Sequence, residues 1–194
     1  MGLGIVVGYA EDDELNELRT LSDALAEEGV TWSEPATTDE SFSAGFPYSW
    51  LHHLRRVLAL VDRDLPVTPV DETHPVEADR EVVEEVSEMF SSHLLCHADD
   101  HGFYVPVYFD EPLFLPQESG GMVGSTQGLL TELRRCAPAL GITLSPDGSL
   151  PEAETERLHD LPGDDNFRVE STVWLAMHGA CQASLRSGCA IVFC

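Results

Sequence analysis

Six groups able to bind a metal or move a proton fall within nine residues: His93, Cys96, His97, Asp99, Asp100 and His101. Zinc and related ions take imidazole nitrogen, thiolate sulfur and carboxylate oxygen, three or four together. The spacing H-x-x-C-H lacks the second half of a zinc signature. On a strand, His93 and His97 share one face and Cys96 points to the other. A metal centre here would use His93, His97, Asp99 and His101, with zinc, iron or manganese as the ion. His52-His53 could add a ligand. The same segment allows nucleophilic catalysis by Cys96, with one of the histidines as base and Asp99 or Asp100 to orient it. The plain alternative is a hairpin with a polar face and an acidic turn, binding no cofactor.

A second candidate is Gly120-Gly121-Met122-Val123-Gly124-Ser125-Thr126, entering a helix. Backbone N–H groups at such a junction can hold an anion, here through Gly121, Gly124 and Ser125. A phosphate-binding loop of the G-x-x-x-x-G-K-[ST] type needs a lysine, and the chain has none. Ser125 as a plain helix cap explains the same residues.

Charge is the largest anomaly. Thirty-five acidic residues stand against ten basic ones, giving a formal net charge of −25. All ten basic residues are arginine, which also fits a GC-rich genome. Such a field repels nucleic acid and anionic membranes, so the expected partners include neither. It is read either as a solvated surface suited to salt or as a decoy for a basic protein, as in a toxin inhibitor or a mimic of DNA. The aromatic residues Phe46, Tyr48, Trp50, Phe103, Tyr104, Tyr108, Phe109 and Phe114 are expected in the core. Any that are exposed could anchor a partner.

The elements that must position these groups read as follows. Leu3 to Val7 is a buried strand and Glu11 to Glu28 a helix stopped by Gly29. Thr31 to Thr38 allows a short strand, followed by a surface loop through Gly45. Helices are expected from Ser49 to Asp62 and from Pro75 to Phe90, the latter turning Val82, Val86, Met89 and Phe90 inward. Leu94 to His97 and Phe103 to Phe109 form a hairpin, with Pro106 marking an edge or bulge. Asp110 to Gly124 is a long loop. Ser125 to Ala137 and Val169 to Arg186 are helices, with a helical turn near Glu152 to Leu158. Cys189 to Cys194 closes the chain as a buried strand.

The predicted fold is α/β of the α+β type: one acidic domain over residues 1–194, with four or five helices on a mixed sheet of three to five short strands. The five cysteines include no CxxC pair, and no basic residue precedes the first apolar run. Reduced thiols and a cytoplasmic location are therefore expected. The opening M-G-L-x-I-V-V-G, the S-S-H-L-L-C-H segment before F-Y-V-P-V, the G-G-M-x-G-S loop and the ending A-I-V-F-C resemble a group of uncharacterised bacterial proteins common in actinobacteria. That resemblance implies one shared design for the hairpin and the glycine loop, and brings no activity with it.

Three functions remain open. The first is a non-enzymatic binding protein, such as an immunity or inhibitor protein meeting a basic partner. The second is a small metal-dependent hydrolase centred on His93 to His101. The third is an oligomerising structural protein.

Overall fold

Leu3, Ile5 and Val7 alternate with Gly2, Gly4 and Val6, and the alternation fixes the first strand, β1 (Gly2–Val7). The three larger side chains are buried against the main core. The computed structural model describes residues 2–8, 12–99, 101–116 and 121–194, the side chains of 12–14 excepted. Asp100 and Gly120, both singled out above, lie outside the described residues.

Among the described residues there are six helices and six strands, somewhat more than expected. The helices are α1 (Asp12–Glu27), α2 (Tyr48–Asp62), α3 (Arg80–Ser87), α4 (Thr126–Cys136), α5 (Glu152–His159) and α6 (Arg168–Ser187). The remaining strands are β2 (Phe42–Pro47), β3 (Gly102–Val105), β4 (Leu113–Phe114), β5 (Met122–Ser125) and β6 (Ile191–Phe193). They form one mixed sheet in the order β2-β1-β6-β3-β5-β4. Only β3 and β5 run parallel; the other neighbours are antiparallel. The α+β class is thus as expected.

Helices cover both faces. α2, α4 and α6 bury Leu54, Leu58, Leu133, Trp174 and Met177 against Ile5, Tyr104 and Ile191. On the opposite face α1 lays Leu18, Leu21 and Leu25 over Phe103, Val105 and Val123.

Several expectations are corrected. Residues 31–38 form no strand. The segment is tied down singly instead: Ser22 donates to the Trp32 carbonyl, and the Glu34 carboxylate accepts from the Ala190 backbone N–H at 2.8 Å. The strand comes later, as β2, inside what reads as a Ser/Thr-rich loop. Its Gly45 pairs with Gly4, so no alternation of large side chains announces it. The long loop holds β4 and β5. Pro106 is neither an edge nor a bulge; it ends β3, an interior strand.

The segment before β3 is a turn rather than a strand. Ser92 Oγ accepts from the Leu95 N–H and the Ser92 carbonyl from the Cys96 N–H. Glu132 of α4 reaches across and accepts from the backbone N–H groups of His93 and Leu94, each at 2.8 Å. A strand pairing there would leave this buried carboxylate without its donors.

Two adjacent arginines on α2 brace the chain on either side of α3. Arg56 is buried and donates to Asp79 at 2.5 Å and to the Thr68 carbonyl at 2.9 Å. Asp79 is the residue from which α3 starts. Arg55 donates to the Leu94 and His97 carbonyls and to the Asp99 carboxylate. Breaking a buried pair by removing one partner leaves a desolvated charge. Arg56→Ala is therefore expected to lower unfolding stability by about 3 kcal/mol in urea denaturation. A loss below about 1 kcal/mol would mean that the brace is incidental.

Candidate functional site

The four candidate metal ligands are not gathered into one centre. His93 and His97 are buried, Asp99 is half-exposed, and His101 is exposed. His93 Nδ1 accepts from the Ser125 N–H at 3.1 Å, and its ring lies where a side chain on Gly128 would sit. Only glycine at 128 lets α4 pass beneath that ring. His97 stacks on Tyr104 at 4.3 Å between ring centroids and touches Phe193 at 4.4 Å. Burial pushes its pKa down to about 3, so it stays neutral as a packed aromatic. Asp99 is held by Arg55 and by His52, the latter at 3.4 Å. Among the described residues no group of three or more His, Cys, Asp or Glu could hold a metal ion.

Cys96 fares no better as a nucleophile. Its thiol points to the Ser87 carbonyl, and burial raises its pKa. The glycine segment is β5 running into α4, where Ser125 Oγ accepts from the Gly128 N–H at 3.1 Å as a plain cap. The Gly121 N–H goes to the Pro116 carbonyl, and Gly124 packs under the Tyr104 ring. The donors of an anion site at Gly121 and Ser125 are thus used within the fold.

The charged surface has more to offer. From residue 77 to residue 88, through the short 3-10 turn Val76–Asp79 and α3, Glu77, Glu81, Glu84, Glu85 and Glu88 are all exposed. Residues three and four apart share a helix face. From Glu77 to Glu88 the 3-10 turn and helix rise about 18 Å, so the exposed carboxylates follow one another about every 4.5 Å on average. One strand of duplex DNA presents a phosphate about every 3.4 Å along its axis. Two of the five carboxylates are partly offset, Glu84 by Arg80 and Glu85 by Arg63.

The start of this stripe is fixed by Asp79. Burial pushes its carboxyl up, but the hydrogen bonds from His74 and Arg56 and the guanidinium charge outweigh that and hold it below the usual range. The adjacent Arg55 and Arg56 of α2 therefore lie inside, tying down acidic segments.

Aromatic residues are divided too. Phe46, Phe103 and Tyr104 are buried as expected, whereas Tyr108 and Phe114 are exposed. Met89 and Phe90, expected to face inward, are also exposed. α3 ends at Ser87, and Phe90 takes φ of 53°, which turns the chain before the inward face can continue.

A protein-family model described as "Putative DNA-mimic protein" matches residues 1–193, and the chain belongs to that family. No curated protein and no solved structure matches it. Membership gives the chain a binding role rather than a catalytic one. It also corrects the expectation that set nucleic acid aside when naming the partners. The charge that repels DNA is the charge that makes a protein resemble it, so nucleic acid enters as the thing imitated. Among the described residues no helix is long and apolar enough to cross a membrane.

Glu132, under the turn at His93 and Leu94, gives a pH test of this scaffold. Burial raises its pKa to about 7, against the opposing pull of the Leu94 and His93 N–H groups and the Ser92 hydroxyl. A carboxyl raised above its ordinary 4.5 stabilises the fold while protonated, and that contribution is lost as pH rises through about 7. The stability of the native chain relative to Glu132→Gln should fall by about 1–3 kcal/mol between about pH 5 and about pH 8. Urea denaturation at the two pH values measures it, and a pH-independent difference would contradict it.

Proposed function

We propose that this chain binds the DNA-contacting surface of a DNA-binding protein and keeps DNA away from it, as a stoichiometric inhibitor without catalysis. The observation that carries the reading is the exposed carboxylate stripe from Glu77 to Glu88, a rigid row of negative charges whose spacing along the helix is of the same order as that of phosphates along one DNA strand. Family membership and the formal charge of −25 support the same reading. The partner is basic because it has evolved to meet phosphates. Attraction between the two surfaces speeds encounter and falls with salt.

Inhibition follows from shared occupancy. A protein whose phosphate-binding arginines and lysines face Glu81, Glu84 and Glu88 cannot use them on DNA at the same time. The immunity reading is one case of this, in which the blocked protein is a toxin acting on DNA.

The test is capture and displacement. Immobilised chain is expected to retain DNA-binding proteins at low salt and to release them when duplex or single-stranded DNA is added. Release by DNA at constant ionic strength separates mimicry from plain ion exchange. Retained proteins that resist DNA but elute with salt alone would contradict the proposal.

A further inference from the structure

We infer that the partner's surface is of the single-strand-binding kind, a basic groove lined with aromatic side chains, and that Phe90 and Phe114 stand in for unstacked bases. This rests on the function proposed above and narrows it. A duplex keeps its bases stacked inside and offers phosphates and groove edges. A mimic of a duplex therefore needs carboxylates but no exposed rings. Proteins that bind single strands combine a positive groove with aromatic platforms on which bases stack.

The end of the carboxylate stripe has both features. Met89 is 62% exposed, Phe90 59% and Phe114 56%. The two rings meet edge to face, with centroids 5.7 Å apart and planes at 82°. Phe90 follows α3, and Phe114 belongs to the edge strand β4, so two separate elements converge to present the pair. Glu88 and Glu85 precede Phe90 and are exposed. Carboxylates and aromatic rings thus lie in succession, as phosphates and splayed bases do along a single strand.

Phe90 does not owe its place to backbone preference. Its φ of 53° lies in the left-handed region, which glycine and asparagine enter readily and bulky side chains avoid. An exposed phenylalanine in that conformation serves neither the core nor the turn. Charge decides what covers it. A second copy would bring another −25 against the stripe, and an anionic lipid surface would be repelled too. A basic groove is attracted.

The test uses two loaded probes at low salt. One is an OB-fold single-strand-binding protein carrying a fluorescent oligothymidylate; the other is an architectural duplex-binding protein carrying a labelled duplex. Anisotropy reports release as the chain is added. The native chain is expected to free the oligothymidylate. The variant Phe90→Gly with Phe114→Ser should need about tenfold more protein or worse. Phe90→Gly alone, which suits the backbone, should be intermediate and should melt within a few degrees of the native chain. Release of duplex only, or equal potency of the ring variants on the single strand, overturns this inference and leaves duplex mimicry standing. Release of neither probe removes the function on which it rests. A dimer in sedimentation that the ring variants dissociate would assign the pair to self-association and overturn the inference as well.

Discussion

The fold has to exist against its own charge. Thirty-five carboxylate-bearing side chains share one chain with ten arginines, and repulsion among them opposes any compact state. The structure meets this by placing two of its few cations where each does most. Arg55 and Arg56, adjacent on α2, are buried, and they hold Asp99 and Asp79 on either side of α3. A desolvated, paired arginine binds more firmly than a surface one, because water and salt compete with it less. A pair exposed on both sides, such as Arg80 with Glu84, is worth little by comparison.

That placement links stability to function. The same braces that let acidic segments pack also fix where α3 starts and where the chain goes after it. A stripe of carboxylates imitates a polyanion only if its spacing is held, and a helix anchored at Asp79 holds it. Imitation does not need a cleft. The donors a catalytic or anion site would use, at Ser125 and Gly128, are bonded inside the fold, and His97 is packed as an aromatic.

Elements with a strong period were legible in the sequence. α1, α2, α4 and α6 lie within a residue or two of their expected bounds, because Leu18, Leu21 and Leu25, or Leu51, Leu54 and Leu58, repeat with the helix. β1 and β6 were legible as short apolar runs. β2 was not, since its Gly45 faces Gly4 and carries no pattern. The turn at His93 was not, because what fixes it is Glu132, 39 residues away. The outward turn of Met89 and Phe90 was hidden by a helical period that runs on in sequence past Ser87, where the helix itself stops. The excess of charge was plain, but the inward turn of Arg55 and Arg56 was not, since two arginines on a helix read as surface until their partners are known. Acidity was thus readable as a property of the chain, while its arrangement as a stripe depended on the braces.

The most direct measurement is the affinity of a DNA-binding protein retained by this chain for the native form and for a variant in which Glu77, Glu81, Glu84, Glu85 and Glu88 are all glutamine. Titration calorimetry over a range of salt gives both the affinity and its ionic dependence. The account predicts that the variant stays folded, binds about tenfold more weakly or worse, and shows a shallower fall of affinity with salt. Unchanged affinity with an unchanged salt slope would contradict it, and would move the binding surface away from α3.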